Sequence, residues 1–116
     1  MIDAKSSILK RAYPTFYQEL HKELELIEGV LKKNDSKLAK DVDWQLLANS
    51  AHKIKGSAGF FNFEALAIAS RDLEKAFSEI PTKVAQSDLD TTVDELFARL
   101  KEEVAKLPSI DKYLSA

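Results

Sequence analysis

Near neutral pH the imidazole is the side chain best able to act as a nucleophile or proton carrier. This chain has two, His21 and His52, and no cysteine. His21 lies in the charged run Leu20-His21-Lys22-Glu23 with Glu25 four residues on, the setting of a solvated surface side chain. His52 is placed differently. Leu47, Ala51, Ile54, Ala58 and Phe61 form the apolar seam of one helix. At about 100° per residue, the centre of that seam lies roughly 130° from His52, so the imidazole points away from the core. Its neighbours on that face are Ala48, Lys55, Gly56 and Gly59. Three of these four have almost no side chain, and each glycine inside a helix costs about 1 kcal/mol relative to alanine. A helix that needed only to be stable would not place both beside one exposed histidine. The pattern predicts an imidazole standing clear, with room for another protein's surface to approach.

Phosphoryl transfer suits such a group. A neutral imidazole keeps a free lone pair on one ring nitrogen and can attack phosphorus. The transferring group is strongly anionic, and its transfer depends on positioning and charge neutralisation, part of which Lys55 can supply. The chain has no Gly-rich phosphate loop after a strand and no kinase-like motif set, so it is expected to lack ATP binding and autonomous kinase activity. The phosphoryl group must then come from, and go to, another protein.

The elements that would hold this histidine are helical. With 116 residues the chain has one domain's length, and three glycines and three prolines argue against a many-stranded sandwich. A formal charge of −2 with no basic stripe gives no case for nucleic acid. No apolar run approaches the roughly 18 residues of a membrane span, and the N-terminus lacks a signal-peptide core, so a cytoplasmic, soluble domain is expected. Four amphipathic helices are predicted at approximately 15–33, 43–61, 64–80 and 88–107. Their seams are Phe16, Leu20, Leu24, Ile27 and Leu31; the His52 seam; Leu66, Ala69, Leu73, Ala76 and Ile80; and Leu89, Val93, Leu96, Leu100, Val104 and Leu107. Asp43 is the expected N-cap of the second and Asn62 its left-handed stop. Asn34, Asp35 and Ser36 end the first, Pro81 the third and Pro108 the fourth, leaving a loosely held tail. Pro14 either closes a short N-terminal helix (with Thr15 and Gln18 as a capping box for the next), occupies the first position of the next, or kinks one longer helix. The expected fold is all-α, an antiparallel up-down four-helix bundle with an additional short N-terminal helix, in a single domain spanning 1–116. Four helices can close one core without a partner, which favours a monomer.

The run Ala51-His52-Lys53-Ile54-Lys55-Gly56-Ser57-Ala58 resembles the A-H-x-[LI]-K-G-[SA]-[AS] motif of histidine-containing phosphotransfer (HPt) domains of bacterial multistep phosphorelays. Leu66 and the pair Leu73-Glu74 fall at that family's spacing, and the likeness covers essentially the whole chain in helix order. One departure is Asn62, where many members have glycine. The resemblance implies that His52 is the phosphoacceptor, Lys55 the positive neighbour of the phosphoryl group and Gly56 the small residue that opens access. It implies that Glu74 can orient or hydrogen-bond the imidazole, although Glu74 could equally pair with Lys75 or Arg71 on the surface. The implied partners are receiver domains of response regulators and hybrid sensor histidine kinases. Transfer would run from one receiver's aspartyl phosphate to another receiver's aspartate, with Mg²⁺ held by the receiver and no cofactor here.

Receiver docking in that family uses an apolar patch around the histidine. Phe60 is the candidate for it, about 150° from the seam if the helix continues that far; otherwise it packs beneath the next helix. Ala48, Lys53, Ser57 and Gly59 are candidate rim contacts, Phe61 and Phe63 belong to the core, and Trp44 anchors the helix start. Two other classes compare poorly. A docking module that is never phosphorylated would be expected to lose the histidine or the lysine. A metal or hydrolytic site finds no H-E-x-x-H, Glu-x-x-His or Ser-His-Asp arrangement in the chain.

Overall fold

The computed structural model describes residues 4–33, 43–79 and 86–115, and all the regular structure among them is helical. The helices are α1 (Ala4–Lys33), α2 (Trp44–Phe60), α3 (Glu64–Glu79), α4 (Gln86–Ala105) and α5 (Ile110–Ser115). The expected stops at Asn34, Asp35, Ser36 and Pro81, and the seam residue Ile80, lie outside the described residues; so does the side chain of Leu89.

The seams meet in one core. Phe16, Leu20, Leu24 and Ile27 of α1 pack with Leu47, Ala51, Ile54 and Ala58 of α2, together with Leu66, Ala69 and Leu73 of α3 and Val93, Leu100 and Val104 of α4. The core also takes Tyr13, Phe77 and Phe97, each one position beside an expected seam residue or at its edge. Helices α2 and α3, and α1 and α2, meet in opposite senses. Trp44 at the start of α2 faces Phe77 near the end of α3 at 6.2 Å, while the other ends of the two helices are joined by a short turn. Likewise Phe16 lies 4.6 Å from Phe61, whereas Glu23, two turns further along α1, meets Ser50 further back in α2.

The helix ends that fix α2 behave as their residues require. Asp43 accepts a hydrogen bond from the Leu46 amide at 3.0 Å, capping the first turn. At the other end Asn62 takes φ 61°, and its amide reaches the Gly59 carbonyl while the Phe63 amide reaches that of Ala58. This pair of bonds is the Schellman closure, which needs one left-handed residue, and asparagine is the best non-glycine choice. The turn therefore sets how α3 leaves α2.

Three expectations are corrected. There is no separate N-terminal helix: Pro14 lies inside the continuous α1. The ring already has a helical φ, and the neighbouring Tyr13 is fully buried among Phe16, Tyr17, Phe61, Phe63 and Tyr113, which holds the backbone on course through the lost hydrogen bond. The tail after Pro108 is not loose. It forms α5, with Ser109 Oγ accepting from the Lys112 amide and Tyr113 stacked on Tyr13 at 3.8 Å. Tyr13 Oη donates to the Pro108 carbonyl at 2.6 Å; burial, reinforced by Tyr17 and Tyr113, pushes this phenol up to about 12, so it keeps its donor proton. His21, finally, is half-buried, its ring 4.6 Å from that of Tyr17, and its Nε2 finds no hydrogen-bond partner among the described residues. The Tyr17 ring one turn earlier shelters it from the solvent that its charged sequence neighbours suggest.

Candidate functional site

His52 stands on the face of α2 opposite the core, with its side chain 62% exposed. Its Nδ1 lies 3.0 Å from Glu74 Oε2 on α3. The other oxygen of the same carboxylate, Oε1, lies 3.2 Å from Lys55 Nζ. Glu74 thus faces both functional groups of α2 and neither of its own surface neighbours, while Arg71 pairs with Asp72. This junction between helices depends on the Asn62 turn, because the turn fixes which residue of α3 lies across from His52.

The geometry selects a tautomer. A carboxylate oxygen only accepts hydrogen bonds, so a neutral imidazole at this distance places its proton on Nδ1. The lone pair is then on Nε2. A ring with one nitrogen tied back and the other free to react is the arrangement a nucleophilic histidine requires. Lys55 is one-third exposed and lies one turn along α2 from His52, its ammonium on the same carboxylate.

The surroundings are open, as the small residues predict. Gly56, Ser57 and Gly59 are exposed, and a Cβ built on either glycine meets nothing within 4 Å. The fold itself therefore gives no steric reason for glycine at these two positions. Replacing Gly56 or Gly59 by alanine is expected to stabilise the isolated protein by about 0.5–1 kcal/mol, readable as a rise in Tm. If a partner's backbone must come close, the same substitutions slow transfer from that partner. A fall in Tm would mean that the glycines serve the fold.

The helix continues through Phe60, a residue 53% exposed whose ring sits edge-on to that of Phe61 at 5.2 Å. Phe61 is buried and Phe63 packs on the core. Lys53 is exposed, 3.8 Å from Glu23 Oε1. Trp44 is half-buried against Phe77, in keeping with an anchoring role at the helix start. Ala48 departs from expectation: it is only 4% exposed and belongs to the core rather than to the face around His52. Helix α2 is packed by α1 on one flank and α3 on the other, so its buried arc is wider than one seam.

One polar element was not foreseen. The Ser50 hydroxyl, buried on α2, donates to Glu23 Oε2 of α1. Its only signal in the sequence is a serine beside the seam position Ala51. Among the described residues there is no group of three or more His, Cys, Asp or Glu that could hold a metal ion, and no helix is long and apolar enough to cross a membrane. A family model described as Hpt domain matches residues 12–109. Neither the curated proteins nor the solved structures include a significant match.

Proposed function

Since the chain belongs to the Hpt domain family, phosphotransfer modules of His-Asp phosphorelays that have no kinase activity and interact with receiver domains, we propose that His52 is its phosphoacceptor. Nε2 attacks the phosphorus of a receiver's aspartyl phosphate; the bond from phosphorus to the aspartate oxygen breaks, and the aspartate leaves as a carboxylate. The ring keeps its Nδ1 proton and gains positive charge as the new bond forms. Glu74, already facing Nδ1, offsets that charge, and Lys55 faces the phosphoryl oxygens. Reversal of the step onto a second receiver's aspartate completes the relay. The observation that carries this reading is the Nδ1–Glu74 contact at 3.0 Å, because it leaves Nε2 as the reactive atom.

Gly56, Gly59, Ser57, Lys53 and Phe60 form the face on which the receiver docks; the buried Ala48 is not part of it. The receiver supplies Mg²⁺ in its own acidic pocket, and this chain needs no cofactor. It works as a cytoplasmic monomer. Incubation with a receiver carrying radiolabelled aspartyl phosphate should place label on this protein in an acid-labile, base-stable form. ATP alone should place none. Label that survives acid, or that appears with ATP alone, contradicts the proposal.

A further inference from the structure

The two flanks of His52 differ. Towards α3, Glu74 and Lys55 bridge the helices and fill the surface. Towards α1 there is a cavity of about 310 Å³. Its floor is Phe16, Leu20 and Ile54, and its rim carries Glu19, Glu23 and Lys53. His52, Gly56 and Phe60 follow one another at four-residue steps along α2, and the cavity-lining Lys53 and Ser57 form the next row. The open strip beside the imidazole is therefore continuous with the cavity.

Resting on the reading of His52 as a phosphoryl carrier, we propose that this cavity receives one lysine or arginine side chain of the receiver domain that docks there. The floor residues are only 7%, 3% and 2% exposed, so the apolar contact on offer is narrow and lies beneath a polar rim. That form suits a long aliphatic stem with a charged head. The rim holds two carboxylates against one ammonium. Glu23 is engaged by the Ser50 hydroxyl and lies 3.8 Å from Lys53. Glu19 is 61% exposed, and among the described residues its ion pair is with Lys22 at 3.9 Å, a solvated pair of little strength. An incoming ammonium or guanidinium head finds Glu19 accessible. An apolar side chain would strip water from both carboxylates without replacing it, and an acidic one would meet like charge. The cavity would thus select receivers by charge beside the reacting atom without touching it.

The experiment uses a receiver that labels His52 in the parent protein and, in parallel, phosphoramidate, a small phosphoryl donor that needs no docking surface. Glu19→Lys should raise the receiver concentration for half-maximal transfer by about tenfold or more and leave the maximal rate unchanged. Labelling by phosphoramidate should not change. Reversing one lysine or arginine of the receiver to glutamate should then restore transfer to Glu19→Lys. Unchanged concentration dependence in Glu19→Lys overturns the proposal. So does a defect that no single charge reversal on the receiver repairs. A parent protein that phosphoramidate labels on His52 but no receiver does would instead overturn the relay reading, and this proposal with it.

Discussion

His52→Gln is expected to take up no label above background from a phosphorylated receiver, while folding like the parent. Glutamine is close in size and its amide can still donate towards Glu74 Oε2, but an amide nitrogen has no lone pair free to attack phosphorus. The imidazole is 62% exposed and its hydrogen bond goes to a part-exposed carboxylate, so its loss should change unfolding stability by no more than about 0.5 kcal/mol. The measurement is a transfer time course beside a thermal melt. A variant that melts like the parent and still accepts label would move the acceptor elsewhere. His21, half-buried against Tyr17, would then be the other imidazole to test.

Lys55→Ala should slow single-turnover transfer by roughly tenfold, less than the roughly hundredfold or more of a preorganised donor in a water-excluded site. The effect is smaller because Lys55 is 36% exposed, where water and salt screen its charge. Its ammonium rests on Glu74 Oε1 and must turn from there to reach a phosphoryl group on Nε2. Glu74→Gln is the informative companion. It keeps an acceptor for Nδ1–H but removes the charge that holds Lys55, so its effect should be smaller than that of Lys55→Ala. Rates should fall with ionic strength in the parent and less steeply in Lys55→Ala. A Lys55→Ala protein that transfers at the parental rate removes the lysine from the mechanism.

Periodicity made the core of α2 legible, since Leu47, Ala51, Ile54, Ala58 and Phe61 are all buried as their spacing predicts. It also placed His52 on the outside, because a single helix carries that information in its own register; for Phe60 it left two readings open, since the register could not say whether the helix reached that far. What failed involved neighbours. Ala48 is covered because two helices flank α2, which no single-helix projection contains. Pro14 is a helix breaker by local rules, yet Tyr13 beside it is fixed by a stack with Tyr113, a hundred positions away in the chain. Helix α5 is six residues long with no buried residue, so it has no readable periodicity, and its hold on α1 comes from that same stack. Glu74 was a candidate only through the resemblance, at whose spacing the pair Leu73-Glu74 falls. Its choice of His52 and Lys55 over Arg71 needed the geometry of the turn.

That turn has a bearing on how the molecule folds. The His52–Glu74 bond spans 22 residues and closes within the α2–α3 hairpin, whereas the Tyr13–Pro108 bond spans 95 and ties the two ends of the chain together. Closing the shorter loop costs less chain entropy, by about 0.6 kcal/mol for each doubling of length. The grouping of His52, Lys55 and Glu74 is in this sense a local structure, assembled by two helices and one left-handed asparagine. Distant sequence can weaken the bundle by loosening α5 without first deforming the site. Substitutions in α5 can thus leave the spacing of His52, Lys55 and Glu74 intact.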